Sequence, residues 1–139
     1  MAGISARYLL DTNICIYIAK HNPPAVRERF ARHASSALAM SVITFGELRF
    51  GAEKSQARER AMLAIEQLAS AIEVVPLAEA AGEYYGRIRA TLQTQGQPIG
   101  NNDLWIAARA RAEGWILVTH NEREFARVEG LVIENWASA

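Results

Sequence analysis

Short runs of apolar residues alternate with longer segments of helical spacing, and this alternation limits the possible folds more than any other feature of the chain. The runs are Arg7–Leu10, Ala37–Ser41, Ile72–Val75, Trp115–Val118 and Leu131–Glu134. Strands of only four or five residues, separated by helices, are typical of a parallel sheet that is covered on both faces. We therefore expect an α/β fold with a buried, mostly parallel sheet.

The segments between these runs predict helices, because their apolar residues recur at intervals of three and four. The predicted helices are Thr12–Lys20, roughly Ala25–His33, Ile43–Lys54, a segment from the break at Ser55-Gln56 to about Ser70, Leu77–Gln95 and Asp103–Glu113. Gly114 stands where a helix commonly ends. With 139 residues and no visible linker, we expect one domain over residues 1–139.

Composition excludes several classes of protein. No apolar stretch is long enough to cross a membrane and no secretory signal is visible at the N-terminus, so we expect a cytoplasmic protein. A single cysteine, Cys15, rules out an internal disulfide and suggests a buried thiol. The formal net charge is zero, so no overall field attracts nucleic acid, although 13 of the 15 basic residues are arginines that favour phosphates.

The only two aspartates, Asp11 and Asp103, both stand where a predicted helix begins, and Asp11 directly follows the first apolar run. Carboxylates at the C-terminal ends of strands lie at the edge where open α/β sheets bind ligands. Glu47 lies between them in the chain, and helical spacing puts it on one stripe with Thr44 and Gly51. We expect these three acids to gather in one pocket.

Each acid also has an ordinary explanation. Asp11 suits the N-cap of a helix, and a single glutamate such as Glu47 is usually an exposed helix residue. Asp103 would be stabilised by the helix dipole, although Asn101 and Asn102 are available as caps.

Acids that converge raise one another's pKa unless a cation neutralises them, and an all-oxygen set suits Mg²⁺, with Mn²⁺ as the other possible ion. The three histidines, His21, His33 and His120, have no zinc-site spacing.

Four blocks of residues carry a family resemblance. They are Leu10-Asp11-Thr12-Asn13, then Thr44-x-x-Glu47-Leu48-x-x-Gly51-Ala52, then Ile99-Gly100-x-x-Asp103-x-x-Ile106-Ala107-Ala108, and last Leu117-Val118-Thr119-His120-Asn121-x-x-Glu124-Phe125-x-x-Val128-x-Gly130-Leu131. In this order and at these separations, they resemble the PIN-domain ribonuclease toxins of bacterial VapBC toxin–antitoxin modules. The resemblance implies a three-layer α/β/α sandwich around a five-stranded parallel sheet. It also implies a Mg²⁺-dependent endoribonuclease toxin that cuts RNA, commonly tRNA, inhibits translation and is neutralised by a small VapB-type antitoxin.

The resemblance assigns roles to individual residues. Asp11, Glu47 and Asp103 fall on the acidic triad that holds the metal. Asn121 stands where the family often has a fourth acid, so Glu124 is the nearest acidic substitute and Glu122 a weaker one. Thr12, Asn13, Thr119 and Asn121 would orient ligands or phosphate, although ordinary capping or turn roles stay open for Thr12, Asn13 and Thr119. Homodimers and toxin–antitoxin hetero-oligomers are expected from the resemblance alone.

Other classes fit less well. A phospho-receiver signalling domain would need an aspartate after the middle strand, and Ile72–Val75, third of the five runs, is followed by none. A metal-dependent, structure-specific DNA nuclease could use the same acids, but the chain is small and has no helical arch insertion. A PIN-like fold kept only for binding would not need all three acids.

The predicted helical pair within Ile43–Ser70 is a candidate surface for an antitoxin segment, in which a helix would dock in a groove. Its apolar residues are Phe45, Leu48, Phe50, Met62, Leu63 and Leu68. The alternative is that all six fill the core.

Overall fold

A five-stranded, all-parallel sheet forms the centre of the molecule, which we describe over residues 7–137 from a computed structural model. The strands follow the order β3-β2-β1-β4-β5 across the sheet. Their bounds are β1 Tyr8–Leu10, β2 Leu38–Ser41, β3 Glu73–Val75, β4 Ile116–Val118 and β5 Ile133–Glu134. The expected α/β fold with a parallel five-stranded sheet is confirmed, and β1 occupies the central position.

Helices cover both faces of this sheet and make the sandwich three layers deep. Their bounds are α1 Thr12–Lys20, α2 Pro24–Ala31, α3 Val42–Glu53, α4 Arg58–Ala71, α5 Glu79–Thr94, α6 Asn101–Glu113 and α7 Glu122–Phe125. The buried helical residues of one core come from α1 to α4, and those of the other come from α5, α6 and α7. No helix within residues 7–137 has the length and apolarity needed to span a membrane.

The alternation of side chains along each strand explains the two cores. Leu10 of β1 and Val118 of β4 point into the core beneath α1 and α4, whereas Leu9 and Leu117 point into the core beneath α5 and α6. All four are fully buried. Because successive residues of a strand face opposite sides, a strand covered on both faces has to be apolar throughout.

The structure corrects four details of the sequence interpretation. The strand β3 lies at an edge of the sheet and not in its middle. The comparison with a phospho-receiver domain, which took Ile72–Val75 as the middle strand, therefore used the wrong strand. A short 3₁₀ helix at Ser35–Ala37 and the four-residue α7 were not predicted, because neither is long enough to show a periodic pattern. Helix α6 begins at Asn101 after an extended Gly100, so Asn101 and Asn102 are helical and not caps.

Candidate active site

The carboxyl ends of the two neighbouring strands β1 and β4 carry the first two polar residues of the site. Asp11 follows β1 and Thr119 follows β4, and the backbone N–H of Asp11 donates to the carbonyl of Val118 at 3.0 Å. Because β1 is the central strand, both side chains lie in the interior of the sheet edge, where Asp11 is 5% exposed and Thr119 is 0% exposed. This is the edge at which open α/β sheets bind their ligands.

Asp11 has a different partner for each carboxylate oxygen. Its Oδ1 caps α1 by accepting the backbone N–H of Ile14 at 3.1 Å, as an N-cap aspartate does. Its Oδ2 accepts the hydroxyl of Thr119 at 2.5 Å, and that hydroxyl in turn accepts the backbone N–H of Asn121 at 2.9 Å. Burial raises the pKa of Asp11 above its ordinary value, while these hydrogen bonds oppose the rise.

Glu47 is held between the residues that flank the two aspartates. Its Oε1 accepts the hydroxyl of Thr12, the first residue of α1, and its Oε2 accepts the side-chain amide of Asn102 at 3.0 Å. Thr44, one turn earlier on α3, lies 3.3 Å from the same Thr12 hydroxyl. Glu47 is therefore half-buried and fixed at both oxygens beside Asp11 and Asp103, which is unlike a free solvent-facing glutamate.

Asp103 and Glu124 complete an acidic cluster of four side chains with Asp11 and Glu47. Asp103 is half-buried in the first turn of α6, and burial is the main cause that raises its pKa to about 6. The next largest cause is the negative charge of Glu124, with which the Asp103 carboxyl is also in hydrogen-bond contact. Smaller contributions to the raised pKa of Asp103 come from the charges of Asp11 and Glu47, so Asp103 lies within electrostatic reach of the other three acids.

The remaining predicted site residues lie close to the acidic cluster but take part in different ways. Asn13 is exposed and contributes its backbone N–H to Asp11, and Asn121 contributes its backbone N–H to Thr119. Glu122, the weaker candidate for the fourth acid, is exposed and accepts the side-chain amide of Asn135 at 2.7 Å. Glu124 therefore stands closer to the aspartates than its neighbour on α7 does.

The negative charge of the acidic cluster suits a divalent cation, but its side chains do not form a set of three direct metal ligands. None of the four acids forms a salt bridge with a basic residue of the described chain. Across residues 7–137, no three His, Cys, Asp or Glu side chains are arranged so that together they could hold a metal ion. The expected three-acid pocket thus exists electrostatically but lacks three converging ligand atoms. A Mg²⁺ ion does not require three carboxylate ligands, because it keeps several waters and binds through one or two carboxylates.

The hydrogen bond between Asn102 and Glu47 is the contact of the site that the sequence did not reveal. Asn102 was considered only as a helix cap, whereas its amide is tied to Glu47, 55 residues earlier in the chain. The one available signal was its place directly before Asp103 on the same turn of a helix. Such a signal cannot identify the partner, because the contact depends on how α3 and α6 pack together.

An apolar groove lies beside the acidic cluster, between α1, α3 and α4. Its volume is about 560 Å³, and Glu47 stands among its lining residues. Of the six apolar residues proposed for such a groove, Leu48 lines it, while Met62 and Leu68 are buried in the core. Phe45 is half-buried and packs against that core, and Phe50 and Leu63 are exposed. Helix α1 supplies part of the wall through Ile16 and Ala19, which the sequence did not indicate.

The chain is similar in sequence to known nucleases. The family model described as the PIN domain matches residues 8–131, a range that includes all four acids. The tRNA(fMet)-specific endonuclease VapC of Shigella flexneri is 47% identical over 131 residues, which cover 94% of this chain and 98% of that protein. Ribonuclease VapC2 of Haemophilus influenzae is 45% identical over 130 residues, with coverages of 94% and 98%.

The fold is also similar to solved structures. The DNA-bound VapBC complex from Salmonella typhimurium matches with a TM-score of 0.89 and 42% identity, covering 95% of this chain and 99% of that one. VapBC-1 from nontypeable Haemophilus influenzae matches with a TM-score of 0.85 and 41% identity, covering 94% and 98%. The likeness therefore extends over all the strands and helices that carry the acidic cluster.

Proposed function

The chain belongs to the VapC ribonucleases of the PIN-domain family, and from that membership we propose that it is a Mg²⁺-dependent endoribonuclease toxin that cuts RNA and thereby inhibits translation. PIN-domain nucleases depend on a metal ion. The observation that carries the proposal is the uncompensated acidic cluster, in which the pKa of Asp103 is raised to about 6. We propose a tRNA as the substrate, because the relative from Shigella flexneri is named as a tRNA(fMet)-specific endonuclease.

In this proposal the carboxylates of Asp11 and Asp103 hold the cation, and Glu47 is a further ligand or orients the attacking water. A bound Mg²⁺ supplies the ability to activate water and to neutralise charge on a phosphodiester at neutral pH. Mn²⁺, which accepts the same oxygen ligands, would serve in its place. Thr119 keeps the Asp11 carboxylate in position, and Thr12 together with Asn102 fixes that of Glu47. Glu124 adds negative charge beside Asp103 and is the fourth acid.

These roles are supported by the way the hydrogen bonds divide the carboxylate oxygens. Glu47 accepts one neutral donor at each oxygen, and no cationic side chain of the described chain competes for it. A cation would relieve the mutual repulsion that raises the pKa of Asp103. The sequence has no Gly-x-Ser-x-Gly elbow and no Cys–His pairing that would support a covalent intermediate, so we propose direct attack by water. We also propose that the chain is one domain over residues 1–139 and acts in the cytoplasm.

The test is cleavage of RNA by the purified full-length chain. We expect initiator tRNA to be cut in Mg²⁺ or Mn²⁺ and to stay intact in EDTA, with RNA ends mapped by sequencing. Asp11→Asn and Asp103→Asn should lower the cleavage rate by at least about 100-fold, because each removes a negative charge that holds the cation. Asparagine is as good an N-cap as aspartate, so Asp11→Asn should leave α1 and the melting temperature intact.

Glu122→Gln is the matched control for Glu124→Gln, because both residues belong to α7 but only Glu124 belongs to the acidic cluster. The control should keep full activity, while Glu124→Gln should lose part of it. Full activity in EDTA or in Asp103→Asn would refute the proposal. Cleavage of DNA with RNA left intact would instead support the structure-specific DNA nuclease.

We also propose that a small VapB-type antitoxin neutralises the chain, because the solved relatives include VapBC complexes. The apolar groove between α1, α3 and α4, with a volume of about 560 Å³, is our candidate site for an apolar antitoxin segment, and Glu47 is among its lining residues. Homodimers and hetero-oligomers of toxin and antitoxin are part of this proposal. Ala64→Glu would place a charge on the groove wall and should abolish co-purification of the co-expressed neighbouring antitoxin, whereas Ala90→Glu on the exposed face of α5 should not. Equal recovery with both variants would exclude the groove.

A further inference from the structure

A second polar cleft lies away from the acidic cluster, on the face of the molecule formed by α5, α6 and the residues that follow α7. Its volume is about 310 Å³. Three arginines line it, Arg87 from α5, Arg111 from the last turn of α6 and Arg127, together with the ring of Tyr84. None of the four acids of the active site is among its lining residues.

Within the described residues, none of the three arginines of this arginine cleft forms a salt bridge. The salt bridges within residues 7–137 use five other arginines, and none involves Arg87, Arg111 or Arg127. Arg127 donates to the carbonyl of Pro98 at 3.0 Å, which is a neutral acceptor. Glu129 is the one carboxylate that lines the cleft, and it is exposed. Three positive charges against one negative charge leave the cleft locally cationic in a chain with no formal net charge.

The guanidinium groups of Arg87 and Arg111 are held by packing against an aromatic ring and not by salt bridges. The guanidinium carbons of Arg87 and Arg111 lie 4.6 Å and 5.0 Å from the centre of the Tyr84 ring, within the range of cation–π contacts. Gly130, at φ +83°, gives Arg111 its room, because a Cβ there would lie 3.0 Å from the guanidinium carbon. These contacts hold two like charges on one ring, an arrangement that an anion between them would stabilise.

Arg111 supplies a second, independent observation that points to a ligand in the cleft. Its Nε is buried and has no hydrogen-bond partner among the described residues. A buried donor that is left unpaired destabilises a protein, and such groups commonly mark the place of an ion or a water.

We infer that the arginine cleft binds a phosphodiester of the RNA backbone at a distance from the bond that is cut. This inference rests on the proposed ribonuclease function and deepens it. Planar guanidinium groups match phosphate oxygens with two hydrogen bonds each, so they suit a phosphate better than lysines would. Helix α6 connects the two sites, since Arg111 follows Asp103 by eight residues, or about 12 Å along the helix axis. An RNA strand engaged at both places would be held over several nucleotides.

The test is the binding of a fluorescein-labelled, 12-nucleotide single-stranded RNA of mixed sequence to the full chain that carries Asp103→Asn, in Mg²⁺. Arg87 is exposed, so Arg87→Gln should leave the fold intact. We expect this change to raise Kd about 3- to 10-fold and to reduce the slope of log K against log salt by about 0.7, the value for one lost phosphate contact on a single strand. Arg111→Gln should act in the same way, and Arg111→Lys should recover part of the affinity.

Arg27→Gln is the matched control, because Arg27 is an exposed helical arginine with no salt bridge in the described chain and lies outside the cleft. It should change neither Kd nor the slope. In the chain without the Asp103 change, Arg87→Gln should raise KM for RNA cleavage and leave kcat unchanged, because phosphate contacts away from the cut act on binding.

Three results would overturn the inference. One is a Kd and salt slope for Arg87→Gln that equal those of Arg27→Gln. The second is that the Arg87 and Arg111 variants lose binding to an acidic protein partner but keep their affinity for RNA. The third is saturation of the cleft by 10 mM inorganic phosphate with no effect on RNA binding. The proposed function fails separately, if the unchanged chain does not cut RNA at all.

Discussion

Asp11 is bound at the same time by a backbone N–H of α1 and by the side chain of Thr119. One oxygen caps α1, and the other accepts the hydroxyl of Thr119. The cap and the metal ligand were alternatives when only the sequence was considered, but the structure makes them compatible, because a carboxylate has lone pairs for both tasks. The same division holds for Glu47, whose two oxygens meet Thr12 and Asn102.

Thr119→Val tests whether the site depends on this division. The substitution keeps the shape of a fully buried side chain but removes the hydroxyl that orients Asp11. We expect Kd for Mn²⁺ to rise about 10- to 100-fold, which is the usual effect of removing a hydrogen bond to a metal ligand. Isothermal titration calorimetry measures it. Thr94→Val, at an exposed hydroxyl of α5, should leave Kd unchanged, and equal values for both variants would contradict a positioning role of Thr119.

The raised pKa of Asp103 predicts how the metal-free chain responds to pH. The folded chain holds the Asp103 proton up to about pH 6, whereas the unfolded chain releases it near the ordinary value of 3.8. Between these values the folded state binds more protons, so this group's contribution to stability falls as the pH rises and becomes constant above pH 6 to 7.

In thermal unfolding with EDTA, Asp103→Asn should therefore gain stability over the unchanged chain as the pH rises from 4 to 6.5. Mg²⁺ should remove that advantage, because it stabilises only the chain that keeps the carboxylate. Glu122→Gln removes the same formal charge outside the acidic cluster and should show no such trend. A difference between Asp103→Asn and the unchanged chain that does not vary with pH would contradict the account.

At the scale of elements, α6 places Asp103 in the acidic cluster and Asn102 against Glu47. It begins at Asn101 beside the acidic cluster and ends at Glu113, and Gly114 follows as its C-cap with a φ of +70°, the left-handed conformation that closes a helix. The backbone N–H of Gly114 donates to the carbonyl of Arg111, and Trp115 then leads directly into β4. The end of α6 is thus tied to the strand that delivers Thr119.

Gly114→Ala should destabilise the chain by about 1–2 kcal/mol, because a side chain opposes the left-handed backbone. Gly86→Ala is the matched control, since Gly86 lies inside α5 with open space around a Cβ. The control should gain about 0.5–1 kcal/mol from helix propensity. Urea unfolding measures both, and equal changes in the two variants would contradict a conformational role for Gly114.

The sequence predicted the elements that are long or strongly periodic, and it missed what depends on their packing. The strands that precede Asp11 and Thr119 were found because runs of buried residues are visible along a chain. Helix α7 was missed, since four residues carry no period. The Asn102–Glu47 contact was missed as well, because residues 55 positions apart meet only once α3 and α6 are packed on the sheet.

At the scale of the whole molecule, the neutral formal charge hides a separation of charge. The acidic cluster occupies the carboxyl edge of β1 and β4, and the arginine cleft lies about 12 Å further along α6. The apolar groove opens on the opposite side, between α1, α3 and α4. Substrate and inhibitor would therefore approach the acids from different sides, and a segment in the groove that reached Glu47 would block the site without covering the arginines.

The central claim is that Asp11, Glu47 and Asp103 gather one divalent cation, and calorimetric titration of the metal-free chain with Mn²⁺ at pH 7 tests it most directly. The account predicts saturable binding by the unchanged chain and by Glu122→Gln, with binding lost or weakened at least about 100-fold in Asp11→Asn and in Asp103→Asn. Binding that is equally tight in all four proteins would place the cation elsewhere and contradict the claim.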